Sequence, residues 1–86
     1  MSAWQVYILR CADGTFYTGI TTDTDKRITA HNAGKGAKYT AARRPVVLAY
    51  CEASENRSTA TKREMAIKSL SRAEKAVIVN AYKANL

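Results

Sequence analysis

No stretch of this chain is apolar for the roughly 20 residues a membrane-spanning helix requires. Its first ten residues, MSAWQVYILR, lack the basic start, long apolar segment and small-residue cleavage site of a secretory signal. Neither a membrane partner nor a small organic cofactor is therefore expected, and the expected compartment is cytoplasmic. Cysteine is scarce: Cys11 and Cys51 stand alone, without the C-x-x-C spacing of zinc sites, and read as buried thiols in a reducing compartment. Repeats, linkers and low-complexity segments are missing too, so residues 1–86 are expected to form one domain around one modest core. Acidic residues are few, seven against fourteen Lys and Arg, for a formal charge of +7. Between Lys26 and Arg44 there are six basic residues and no acidic one. A one-sided field of this kind attracts polyanions, and nucleic acid before membrane, because no amphipathic anchoring helix accompanies it.

What is present organises well. The segments WQVYILR and TFYTGIT alternate as strands around Asp13-Gly14, a hairpin signal. A two-residue loop would put Tyr7 and Tyr17 on opposite faces. A three-residue loop, Ala12-Asp13-Gly14 with glycine in the left-handed conformation, pairs Leu9 with Tyr17 and Tyr7 with Gly19. That register gathers Val6, Ile8, Phe16 and Ile20 on one face and Tyr7, Tyr17 and Gly19 on the other, and its cleaner apolar sorting favours it. A helix of about three turns follows, capped by a Thr or Asp near residues 22–25 and closed by Gly34. KGAKYTAARRP reads as a basic loop, VVLAYCEA as a third strand, and a helix is predicted from about Asn56 or Ser58 to Leu70. Ser71 and Glu74 form a capping box that opens a last helix. The order β-β-α-β-α-α predicts an α+β fold, a small three-stranded antiparallel sheet flanked by helices.

Several polar residues sit where chemistry could use them. Arg27 and His31 are one turn apart and project from one helix face, an arrangement that also suits two solvated residues. Glu64 borders the apolar stripe Ala60, Ala66, Ile67 and Leu70. A carboxylate there is costly unless it is paired or binds a cation, and Lys68, four residues on, is its evident helical partner. Gly19 opposite Tyr7 weakens a strand interior and often marks close approach of a ligand or another backbone. Glu, Arg, His and Tyr together suit phosphodiester cleavage. A carboxylate can hold one divalent cation, an arginine can grip a non-bridging phosphate oxygen, and a tyrosine near a cation can take a proton from attacking water.

At these residues the sequence resembles the GIY-YIG nuclease superfamily, and its small stand-alone members in particular. The first signature is reduced to QVY (Gln5–Tyr7) and the second to YTG (Tyr17–Gly19). The ordered set YTGITTD, Arg27, His31, GKGAKYT and Glu64 followed by IKSLSRAEK carries the likeness over nearly the whole chain. The resemblance implies a metal-dependent endonuclease with Tyr7, Tyr17, Arg27, His31 and Glu64 as catalytic residues. Glu64 would be the metal ligand for one Mg²⁺ or Mn²⁺. Tyr17 would be the base and Tyr7 would position the water. Gly19 would leave room for the substrate backbone, and Lys35, Lys38, Arg43 and Arg44 would contact phosphates without reading sequence. The expected partner is nucleic acid, DNA before RNA and single-stranded or branched, in repair, recombination or uptake. Ile20 departs from the family, which often has lysine there, and Asn80 stands as a candidate for the asparagine of its last helical segment. Two rival readings remain at this stage. One is a nucleic-acid-binding module that no longer cuts. The other is a small basic protein docking on a nucleoprotein partner.

Overall fold

Asp13 and Gly14 set the geometry of the first hairpin. In a computed structural model, which describes residues 3–84, Gly14 takes φ +84°. Its N–H donates to the Cys11 carbonyl at 2.9 Å, and the Cys11 N–H donates to the Thr15 carbonyl at 2.8 Å. This is the three-residue loop, and it fixes the pairing of β1 (Trp4–Arg10) with β2 (Phe16–Thr21): Leu9 lies opposite Tyr17 and Tyr7 opposite Gly19. The third strand, β3 (Val47–Ser54), pairs with the other edge of β1, also antiparallel, with an irregularity between Ile8 and Leu9. The sheet order is therefore β2-β1-β3.

The helices start where their caps dictate. The Asp23 carboxylate accepts the Lys26 N–H at 3.1 Å and opens α1 (Thr24–Asn32). Gly34 then ends the helix with φ +79°. The Asn56 side chain accepts the Thr59 N–H at 2.9 Å to open α3 (Arg57–Lys68). Ser71 and Glu74 form the expected reciprocal box at α4 (Arg72–Ala84), with bonds of 2.9 and 3.2 Å. One element was not expected. The basic segment holds a single helical turn, α2 (Lys38–Ala41), built around a buried Thr40 whose hydroxyl bonds back to the Ala37 carbonyl at 3.0 Å. The order is thus β-β-α-α-β-α-α, the predicted sequence of elements with one extra turn.

Because successive residues of a strand face opposite ways, β1 serves two different layers. Val6 and Ile8 form an apolar core with Ala60 and Ile67 of α3, and Trp4, Phe16, Ile20, Tyr50, Ile78 and Val79 pack around it. Tyr7, Leu9 and Cys11 cluster instead with Val46, flanked by Tyr17 and Ile28 of α1. Asn32 anchors that layer: its side chain accepts from the Val46 N–H at 2.7 Å and donates to the Val46 carbonyl at 3.0 Å. The end of α1 is thereby tied to the start of β3. Both cysteines are free thiols, Cys11 buried and Cys51 half-buried. Among the described residues no helix is long and apolar enough to cross a membrane.

Candidate active site

The Tyr7 layer is where the polar candidates meet. His31, on the inner face of α1, is completely buried. Its Nε2 lies 2.9 Å from the Tyr7 hydroxyl, and its Nδ1 lies 2.7 Å from the Thr40 hydroxyl. Tyr17 packs against the same imidazole with ring centroids 5.1 Å apart, and its ring is 6.5 Å from that of Tyr7. The hydrogen bond to His31 thus belongs to Tyr7, while Tyr17 touches the histidine edge to face.

Arg27 lies one turn before His31 on α1, and its charge acts on both Tyr7 and His31. Burial pushes the Tyr7 phenol above its ordinary range, the Arg27 cation pulls it down, and the Tyr17 and Glu64 groups push it up again. Burial and then the Arg27 charge lower His31 below its ordinary value, which keeps the imidazole neutral near pH 7. Arg27 Nε is itself buried and, among the described residues, without a hydrogen-bond partner. An unpaired buried donor on a cation is costly, and an anionic oxygen would satisfy it. Glu64 bears on the same phenol from α3. Its side chain is only 18% exposed, and its ion pair is with Lys68, at 3.4 Å.

The residue here that could hold a cation is Glu64. Among the described residues no three His, Cys, Asp or Glu side chains gather as a ready metal cluster, so Glu64 stands as a single, mostly buried carboxylate beside one half-exposed lysine. Magnesium is commonly held by one or two carboxylates, with waters and substrate phosphates completing its shell.

The structure adds detail to two expectations about the surroundings. At Gly19 the Tyr7 phenol takes up the room a side chain would need: a Cβ there would lie 2.5 Å from the Tyr7 hydroxyl oxygen. The glycine lets the phenol lie across β2. The basic segment is also partly committed within the molecule. Arg43 bonds to Asp13 at 3.0 Å and to the Tyr39 carbonyl at 2.9 Å, with its guanidinium 3.8 Å above the Tyr39 ring. Arg44 bonds to the Ala41 carbonyl at 2.8 Å and reaches the Asn32 carbonyl at 3.5 Å. Lys35 and Lys38 are exposed. Asn80 lies on α4, exposed.

Thr40 and Gly36 were not anticipated. Thr40 holds the far nitrogen of His31. A Cβ on Gly36 would overlap the imidazole ring at Nδ1, so the backbone there lies directly against it. Beyond Tyr17, a groove of about 260 Å³ runs between Phe16, Tyr17, Thr18, Tyr39, Lys68 and Lys75.

On a three-stranded antiparallel sheet a strand tyrosine thus bonds a helix histidine, and the charges of a helix arginine and of a glutamate from a later helix act on its phenol. The GIY-YIG catalytic domain family matches residues 3–77, and the chain belongs to that family. It is 59% identical over 80 residues to a UPF0213 protein of Desulfotalea psychrophila, covering 92% of this chain and 73% of that one. It is 54% identical over 71 residues to a UPF0213 protein of Halobacterium salinarum, covering 83% of this chain and 92% of that one. Among solved structures, a solution NMR structure of an E. faecalis protein matches with 44% identity and TM-score 0.65, covering 98% of this chain and 90% of that one. That of a UPF0213 protein from Bacillus halodurans matches with 46% identity and TM-score 0.59, covering 92% and 84%. Membership of the family implies a nuclease acting on nucleic acid.

Proposed function

We propose that the chain is a metal-dependent endonuclease that hydrolyses phosphodiester bonds, in DNA before RNA, with the whole catalytic centre carried by this one domain. The observation that carries the reading is the 2.9 Å bond between the Tyr7 hydroxyl and His31 Nε2, with Arg27 and Glu64 both acting on that phenol. It favours Tyr7, rather than Tyr17, as the general base. Tyr7 passes its proton to the neutral His31 Nε2, and its oxygen takes the proton of an attacking water. The resulting hydroxide adds to phosphorus as the bond to the leaving oxygen breaks. A phenol that burial pushes upward is a stronger base once its proton has gone to the histidine. Arg27, whose Nε is buried and without a partner among the described residues, would bind a non-bridging oxygen as negative charge builds there.

Glu64 would hold one Mg²⁺ or Mn²⁺, displacing Lys68. Such a cation supplies charge neutralisation at the phosphate and the leaving oxygen. Tyr17 shapes the wall beside His31. Lys35 and Lys38, with the free sides of Arg43 and Arg44, would add affinity for phosphates that weakens with salt. The groove past Tyr17 offers aromatic surface and two lysines to an unpaired strand, the combination that binds single strands without reading sequence.

The test is a panel of single-stranded, branched and duplex DNA and of RNA, incubated with the protein in Mg²⁺ or Mn²⁺ beside Glu64→Ala. Metal-dependent cleavage lost in the variant is expected. Cleavage unchanged in Glu64→Ala would overturn the metal assignment. Salt-sensitive binding with no turnover on any substrate would make the chain a binding module instead.

A further inference from the structure

A neutral imidazole carries one proton, and which nitrogen holds it follows from the partners of both. His31 has a hydroxyl on each side, Tyr7 at Nε2 and Thr40 at Nδ1, and each hydroxyl has a single proton to give. Only two directions of donation are consistent. In the first, Tyr7 donates to Nε2, Nδ1–H donates to Thr40, and Thr40 donates to the Ala37 carbonyl at 3.0 Å. That carbonyl has two lone pairs, and the Ala41 N–H takes the other at 3.0 Å, so every proton in the chain has an acceptor. In the second, Thr40 donates to Nδ1 and Nε2–H donates to Tyr7. The Thr40 oxygen and the Ala37 carbonyl, 3.0 Å apart, then face each other with no proton between them, because the one hydroxyl proton of Thr40 has gone to Nδ1.

We infer that Thr40 is a positioning residue that holds His31 in the Nδ1-protonated tautomer, so that the Nε2 lone pair stays on the Tyr7 phenol. The surrounding segment is shaped for this. Thr40 is completely buried, the turn α2 exists around it, and the backbone at Gly36 lies against the imidazole where any side chain would collide with it. The stretch from Gly36 to Thr40 is thus a clamp on the histidine as well as a carrier of positive charge. Without the Thr40 hydroxyl, His31 is free to carry its proton on Nε2, where it donates to Tyr7 and cannot receive from it.

The consequence for rate rests on the reading of Tyr7 and His31 as the proton-transfer pair; the tautomer does not. His31 is the single histidine of the chain, so ¹⁵N-detected NMR of the imidazole reads its tautomer without ambiguity. The expected result is Nδ1–H in the parent chain and in Thr40→Ser, with a shift toward Nε2–H in Thr40→Val. Single-turnover cleavage should fall about 10–100-fold in Thr40→Val, by analogy with the loss of outer hydrogen-bond partners of metal-binding histidines, and recover in Thr40→Ser. Nε2–H in the parent chain would overturn the inference, whether or not the protein cuts. So would an unchanged tautomer in a folded Thr40→Val. If Thr40→Val fails to fold, the parent chain and Thr40→Ser still decide. If nothing cuts but the tautomers behave as described, the clamp stands and the nuclease reading falls.

Discussion

The two faces of β1 differ by one residue of register and by almost everything else. On one, Val6 and Ile8 meet Ala60 and Ile67 in a layer of aliphatic contacts. On the other, Tyr7 sits beside a completely buried histidine, a completely buried threonine and an arginine whose Nε has no partner among the described residues. The first face lowers the free energy of the fold simply by leaving water, at about 25 cal/mol per Å² of apolar surface. The second spends part of that on groups that are expensive to bury unless they are bonded, and nearly all of them are bonded to one another. The contrast teaches that alternation along one strand can set an apolar layer against a polar one, with Glu64 acting on the Tyr7 phenol from α3, the helix that also packs on the apolar layer.

The comparison can be broken from either side. Ile67→Ala on the aliphatic face should lower unfolding free energy by about 2–5 kcal/mol while leaving the cleavage rate per folded molecule unaltered. Urea unfolding beside a rate normalised to folded protein checks this, and a large loss of rate in folded material would deny the separation. On the polar face, Arg27→Ala should cost about 100–1,000-fold in kcat, the size of losing one donor to a developing oxyanion, with little change in the urea midpoint. Rates and midpoints measured on the same preparation decide it.

A smaller effect comes from acid. Burial and Arg27 lower the folded-state value of His31, whereas in the unfolded chain histidine titrates near its ordinary value of about 6.5. As pH falls through that value the unfolded state takes up the proton first. It then binds more protons than the native state, and stability declines toward acid until the lowered native value is passed. Cleavage declines in the same direction, because a protonated Nε2 cannot accept from Tyr7. Unfolding midpoints and rates between about pH 7 and 5, compared with His31→Gln, should show both slopes flattened in the variant.

How much of this was legible depends on how local the signal is. The hairpin register followed from the sequence because only one loop length sorted Val6, Ile8, Phe16 and Ile20 away from Tyr7 and Tyr17. A Thr or Asp near residues 22–25, Asn56 or Ser58, and the Ser71/Glu74 box marked helix starts because capping is decided within four residues, and the structure settles the first two on Asp23 and Asn56. Tyr7, Tyr17, Arg27, His31 and Glu64 could be picked out as residue types, and the family pattern supplied their order. Thr40 could not. A threonine nine residues after a histidine carries no signal until the chain has turned back, and a one-turn helix such as α2 has no periodicity to detect. Arg43 and Arg44 were visible as charge, but their bonds to Asp13, Tyr39, Ala41 and Asn32 depend on tertiary neighbours. Gly19 stood out as a glycine inside a strand, read as a place where a ligand or another backbone comes close. Which group approaches, the phenol of Tyr7, needed the cross-strand geometry.

The most direct measurement compares Tyr7→Phe with Tyr17→Phe in single-turnover cleavage of one labelled oligonucleotide in Mg²⁺ or Mn²⁺. With Tyr7 as the base, removing its hydroxyl should slow cleavage by about 100–10,000-fold, the range of a lost general base, and Tyr17→Phe should stay within about tenfold of the parent chain. The reverse ranking, with Tyr17→Phe the crippled variant and Tyr7→Phe nearly intact, would contradict the assignment of the proton to the Tyr7–His31 pair.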